Sequence, residues 1–316
     1  MIETYHLTKR FGRKTAVDNL SIQVMPGQVT GFLGPNGAGK STTMRLIMGL
    51  DHPTSGHATV NGMPYSAHKD PLREVGALLD ARATHPGRSA RNHLRAMAAT
   101  QGISARRADE MLEMTGLSSV ANKRVGNFSL GMGQRLGIAV ALLGDPETLI
   151  LDEPVNGLDA EGVMWIRSLV RGEAERGKTV FLSSHLMSEM ELVADQLIIL
   201  GKGRLLAEMS MQQFIADASG VATRLASPQA SMIRDTIVGP GVTVVPLERG
   251  VLYIEGMSAA QLGDLAVRYR WALHELTPQQ VSLEDAYLRL TDSAIEYTLH
   301  DYVPDDQPEP MRGSRR

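Results

Sequence analysis

Short apolar runs recur along the first two hundred residues, and between them lie segments with helical spacing. The early part is different. Residues 2–7 and 20–24 alternate as short β-type runs, and Met25-Pro26-Gly27-Gln28 turns the chain into a short buried strand, residues 29–33. Met44, Ile47 and Met48 then share one helical face over 41–48. After a break at residues 51–56 a further strand and turn is predicted over 57–62, and a strand over 75–79 that ends at Asp80. Residues 90–116 carry helical spacing broken near Gly102, with Met111, Leu112 and Met114 compatible with one apolar face. A buried helix over 136–143 is ended by Gly144-Asp145-Pro146. Then come a strand at 149–151, an amphipathic helix at 164–176, and strands at 178–185 and 197–200. Buried strands alternating with helices predict a mostly parallel sheet covered on both faces, that is, an α/β fold.

Beyond a hairpin-like turn at 201–204 the pattern changes. Strands are predicted at 221–225, 242–246 and 251–254, and helices at 229–236 and 259–269. This describes a small α+β unit over 219–303, following a larger unit over 1–218. Residues 304–316, rich in Pro, Asp, Glu and Arg, are expected to be a disordered tail.

A length of 316 residues suits roughly two domains. With 43% hydrophobic and 21% charged residues, the composition is that of an ordinary globular protein. A formal net charge of −3 argues against a dedicated nucleic-acid binder. The chain has no cysteine, which removes disulfides, thiolate metal sites and cysteine nucleophiles. No secretory signal is visible, and the apolar run 136–143 is far short of the ~20 residues a membrane helix needs. Any membrane association is therefore expected through a partner.

The chemistry begins at Gly34-Pro35-Asn36-Gly37-Ala38-Gly39-Lys40-Ser41-Thr42, which fits G-x-x-x-x-G-K-[ST] at every fixed position. It lies between a strand and a helix, the context in which such a loop cradles phosphates with backbone N–H groups and the helix N-terminus. Lys40 is expected on the β and γ phosphates and Ser41 on Mg²⁺. Asp152 follows a buried strand, where a carboxylate holds Mg²⁺ through its water shell. The adjacent Glu153 is placed to polarise an attacking water.

Phe128-Ser129-Leu130-Gly131-Met132-Gly133-Gln134-Arg135 precedes the strand ending at Asp152-Glu153 by a helix, and Gly157-Leu158-Asp159 and His185 follow it. With the phosphate loop upstream, this series over about residues 1–215 resembles the ATP-binding subunit of an ABC transporter. The resemblance implies a P-loop ABC ATPase fold with N-terminal antiparallel strands, a helical subdomain over about 84–140, and ATP and Mg²⁺ as ligands. It implies that Phe11 stacks on adenine, and that Ser129 and Gly131 contact the γ-phosphate held by an opposite subunit. Asp159 then couples the two sites and His185 senses the γ-phosphate. A homodimer beneath a separate polytopic permease follows, peripheral on the cytoplasmic side of the membrane, with no nucleic-acid partner.

Two features depart from the pattern. Asp80 stands where the family has glutamine near the Mg²⁺, and Leu130 and Met132 replace a glycine and a glutamine of the signature. The segment Leu283 to Thr291, with the preceding Ser282, is similar to the closing segment of ATPases serving multidrug and antibiotic exporters of the daunorubicin- or bacitracin-resistance type. An exporter ATPase is thus the leading expectation. An importer ATPase, or a soluble ABC-type ATPase or regulator, is the alternative.

Overall fold

The computed structural model describes residues 1–81, 83–218, 221–280 and 283–291. The expected tail at 304–316 and Ser282 lie outside these. A six-stranded sheet runs β5-β6-β7-β3-β8-β9. In it β5 (Val75–Leu78), β6 (Thr148–Asp152), β7 (Thr179–Ser184), β3 (Val29–Leu33) and β8 (Gln196–Gly201) are parallel, and β9 (Arg204–Ser210) pairs antiparallel with β8. Strands β3 and β7 are buried at every position, as a parallel sheet covered on both faces requires. Register aligns Leu33 with Ser184 and Asp152 with Ser183. The ends of β3, β6 and β7 therefore emerge side by side at one edge, and so does the end of β5.

A three-stranded antiparallel sheet, β2 (Lys14–Val24), β1 (Ile2–Phe11) and β4 (Ser55–Val60), shares one apolar core with the larger sheet and α1 (Lys40–Ile47). Phe32 and Phe181 meet there with ring centroids 4.9 Å apart. Strands β1 and β2 are longer than their apolar alternation suggests, because pairing carries them through polar residues to a turn after Phe11. The expected face of α1 is confirmed, since Met44, Ile47 and Met48 are all buried.

On the other side, α3 (Ala90–Thr100), α4 (Ala105–Met114) and α5 (Leu130–Ala141) pack on one another, after the short α2 (Pro71–Glu74) that leads into β5. Ser89, Ser104 and Ser129 cap their N-termini through side-chain hydrogen bonds. Of the apolar trio expected on α4, Met111 and Leu112 are buried, but Met114 is 47% exposed at the helix end. Helix α5 begins at Leu130, six residues before the predicted start. Its first turn is glycine-rich and reads as loop, yet Ser129 starts it as N-cap. Helix α6 (Ala160–Glu175) likewise begins early, under the cap of Asp159. The short α7 (Met187–Met190) follows β7, and α8 (Met211–Ala218) follows β9.

The remaining residues form an antiparallel sheet ordered β11 (Thr243–Glu248), β12 (Val251–Glu255), β10 (Val221–Ala226) and β13 (Glu275–Gln280). It is backed by α9 (Ala230–Ile237) and α10 (Ala259–Tyr269), with a separate core around Leu225, Ile233, Leu262 and Trp271. Ser258 and Gln261 close a capping box on α10. The final helix, α11 (Leu283–Thr291), does not stay with this unit. It packs against α7 and α8, and Tyr287 is buried in the core of the larger unit.

Candidate active site

The phosphate loop owes its shape to steric limits. Gly39 has φ +108°, and a Cβ there would lie 2.4 Å from the Ala16 carbonyl oxygen. A Cβ on Gly34 would meet the Leu200 carbonyl oxygen at 2.7 Å. Only glycine lets the chain pass this close to the neighbouring strands and turn its N–H groups inward. The loop lines a cavity of ≈ 370 Å³ together with Phe11, Lys14, Ala16 and Glu153, within the usual range of ligand pockets, about 300–1,000 Å³. Every loop residue from Pro35 to Thr42 borders it. Gly34 lies at its base, where its carbonyl oxygen accepts from Lys40 Nζ at 2.6 Å. Phe11, 52% exposed, stands at the rim with Lys9 Nζ 4.9 Å from its ring centroid.

Lys40 is only 6% exposed. Burial pulls its pKa down, while the charges of Glu153 and Asp152 pull it back up. Its Nζ lies 3.6 Å from Glu153 Oε1. The other Glu153 oxygen lies 2.9 Å from His185 Nδ1. Three groups expected at one site from distant parts of the sequence thus form one chain of contacts.

Glu153 is held from several sides. Its N–H donates to Ser183 Oγ at 2.9 Å, and its carbonyl accepts from Gln134 Nε2 at 3.0 Å. Its φ is +48°, a left-handed conformation costly for a residue with a Cβ, on the order of 1–3 kcal/mol. The same Ser183 hydroxyl donates to Asp152 Oδ1. Behind His185, Ser184 Oγ donates to Glu189 Oε2 at 2.6 Å. Burial raises the Glu189 pKa, partly opposed by that hydrogen bond. Ser183 and Gln134 support the site but escaped the sequence reading. The signal for Ser183 was its place one strand over from Asp152, visible only once the sheet order is known.

Ser129, Gly131 and Asp159 do not border the phosphate cavity. Ser129 accepts from Met132 N at 3.2 Å and lines a second cavity of ≈ 320 Å³ with Leu130 and Gly133. A Cβ on Gly131 would lie 2.6 Å from the Gly157 carbonyl oxygen, so the signature loop rests directly on the Gly157–Asp159 turn. Leu130, where the family pattern has glycine, reaches over Gly157: a Cβ there would lie 2.5 Å from its side chain. Asp159 accepts from Gly162 N at 2.9 Å and lies 3.5 Å from Arg135 Nη2. Asp80 is exposed, two residues beyond Leu78 at the edge where the phosphate loop sits.

A wound parallel sheet with a lysine-bearing phosphate loop at its strand ends defines a nucleotide-triphosphate-binding protein. Comparison with known proteins narrows this. Residues 17–156 match the ABC transporter family model, and residues 221–284 match a domain of unknown function. The bacitracin transport ATP-binding protein BcrA of Bacillus licheniformis is 46% identical over 66% of this chain and 69% of its own length. An uncharacterized ABC transporter ATP-binding protein of Bacillus subtilis, YhcH, is 40% identical over 95% of this chain and 99% of its own. Among solved structures, the dimeric ADP- and phosphate-bound cassette MJ0796 superimposes with TM-score 0.61 and 25% identity, over 67% of this chain and 99% of that one. The chain belongs to the ATP-binding proteins of ABC transporters, and it is an ATPase. No helix among the described residues is long and apolar enough to cross a membrane.

Proposed function

We propose that this chain is the hydrolytic subunit of an exporter, working as a homodimer against a separate membrane permease on the cytoplasmic face. The chain of contacts Lys40–Glu153–His185 at the wall of the phosphate cavity carries this reading. Phe11 stacks on the adenine, and the loop N–H groups and Lys40 hold the β and γ phosphates. Ser41, exposed in the first turn of α1, and Asp152, anchored by Ser183, suit a Mg²⁺ ion that draws its other oxygens from phosphate and water. When bound, that cation neutralises phosphate charge. Asp80 follows β5, the strand paired with the one that ends at Asp152, and is assigned a modulating role there.

Glu153 accepts a proton as water attacks the γ-phosphorus; the bond to the bridging oxygen breaks, and ADP and phosphate leave. His185, paired with Glu153, orients that carboxylate and touches the γ-phosphate. Ser129 lines a different cavity from the phosphate loop and Gly131 does not border the phosphate cavity, which favours their acting on the nucleotide of a second copy, with Asp159 at the crossing between sites. The names of the bacitracin and lantibiotic transport relatives favour a drug, antibiotic or peptide as cargo. The chain divides into an ATPase unit over 1–218 and an accessory unit over 219–303, with α11 returning from the second to the first.

The test is ATP turnover of the purified chain, alone and with its membrane partner, beside Glu153→Gln. The reading predicts loss of at least about a hundredfold in kcat with ATP still bound. Turnover of the variant equal to the wild type would refute it.

A further inference from the structure

Tyr287 on α11 is 3% exposed and sits in the same core as Met187, Met190 and Phe214. Its hydroxyl has no hydrogen-bond partner among the described residues. Buried tyrosines usually find a partner for the O–H, and a phenylalanine would fill the same volume without the cost of an unpaired polar group. The surroundings explain why that group matters. Helix α11 packs on α7, which begins two residues after His185. Burial pushes the phenol pKa up, and the charges of Glu284 and Glu153 add to this. At its other end α11 is tied to the accessory sheet, where Arg289 Nη1 donates to Glu255 Oε2 at 3.0 Å.

We propose that Tyr287 is a positioning residue of the hydrolytic site: its ring seats α7, and with it His185, while its hydroxyl makes its hydrogen bond only in the nucleotide-loaded arrangement. This rests on the assignment of Glu153 and His185 above. A buried donor left unpaired in one state and paired in another favours the second by the difference. The accessory unit thereby gains a mechanical hold on the phosphate-sensing segment through α11.

The opposite signs expected in two states make this testable with Tyr287→Phe in the full chain. Without nucleotide, removing an unpaired hydroxyl raises Tm by about 2–4 °C. With Mg²⁺ and ATP, the nucleotide-induced rise in Tm shrinks, and kcat falls about threefold to tenfold with KM for ATP within about twofold. A merely structural tyrosine would instead lower Tm without nucleotide, and kcat within about twofold of the wild type would show the hydroxyl idle; either result overturns the proposal. Glu153→Gln, run alongside, separates the two layers. If it hydrolyses like the wild type, the site assignment fails; if it is inactive while Tyr287→Phe behaves as wild type, only the role of Tyr287 fails.

Discussion

At the scale of single residues, the phosphate loop tolerates the least change. Gly39→Ala would place a methyl group 2.4 Å from a backbone oxygen at a φ of +108°. Even after relaxation this costs about 1–3 kcal/mol and turns N–H groups away from the phosphates. Lost ATP binding, with a fall in Tm, is the expected outcome in a thermal shift titration. Asp80→Gln restores the family's residue at an exposed position. ATP affinity should change by no more than about twofold, while the hydrolysis rate moves by about threefold or more. Isothermal titration beside steady-state kinetics checks both, and lost binding would mean that Asp80 holds the nucleotide directly.

Among elements, legibility followed local pattern. Strands β3, β6 and β7 were readable because they are buried almost throughout and carry short apolar runs such as Leu149-Ile150-Leu151 and Val180-Phe181-Leu182. The starts of α5 and α6 were not, because Leu130-Gly131-Met132-Gly133 and Ala160-Glu161-Gly162 lack an apolar stripe; the caps Ser129 and Asp159 were the available signal. Strand β13 was missed because Glu275-Leu276-Thr277-Pro278 carries proline, which sits there at a sheet edge beside β10. The motif order put Lys40, Glu153 and His185 at one site before any geometry was known, and their side chains lie in one chain of contacts. Ser183 carries no motif of its own, and Gln134, though inside the signature run, meets Glu153 only through a contact between residues distant in sequence. Ser129→Ala tests whether its helix role is all it has. Loss of the cap alone lowers stability by about 1 kcal/mol. A second role at the partner's nucleotide predicts that ATP-driven association also disappears, read by light scattering at matched stability.

Over the whole molecule, the phosphate loop and the signature turn open on different cavities. A second copy would supply the missing half of each site, so that ATP bridges two chains and its hydrolysis releases them. The proposed accessory unit would be joined to this cycle through α11, which packs on α7 and α8 while Arg289 pairs with Glu255. Sedimentation velocity of Glu153→Gln, with Mg²⁺-ATP, with Mg²⁺-ADP and without nucleotide, tests that central claim. Dimer with ATP and monomer in the other two conditions is the predicted result. A monomer in all three, or a dimer indifferent to nucleotide, would contradict the shared site.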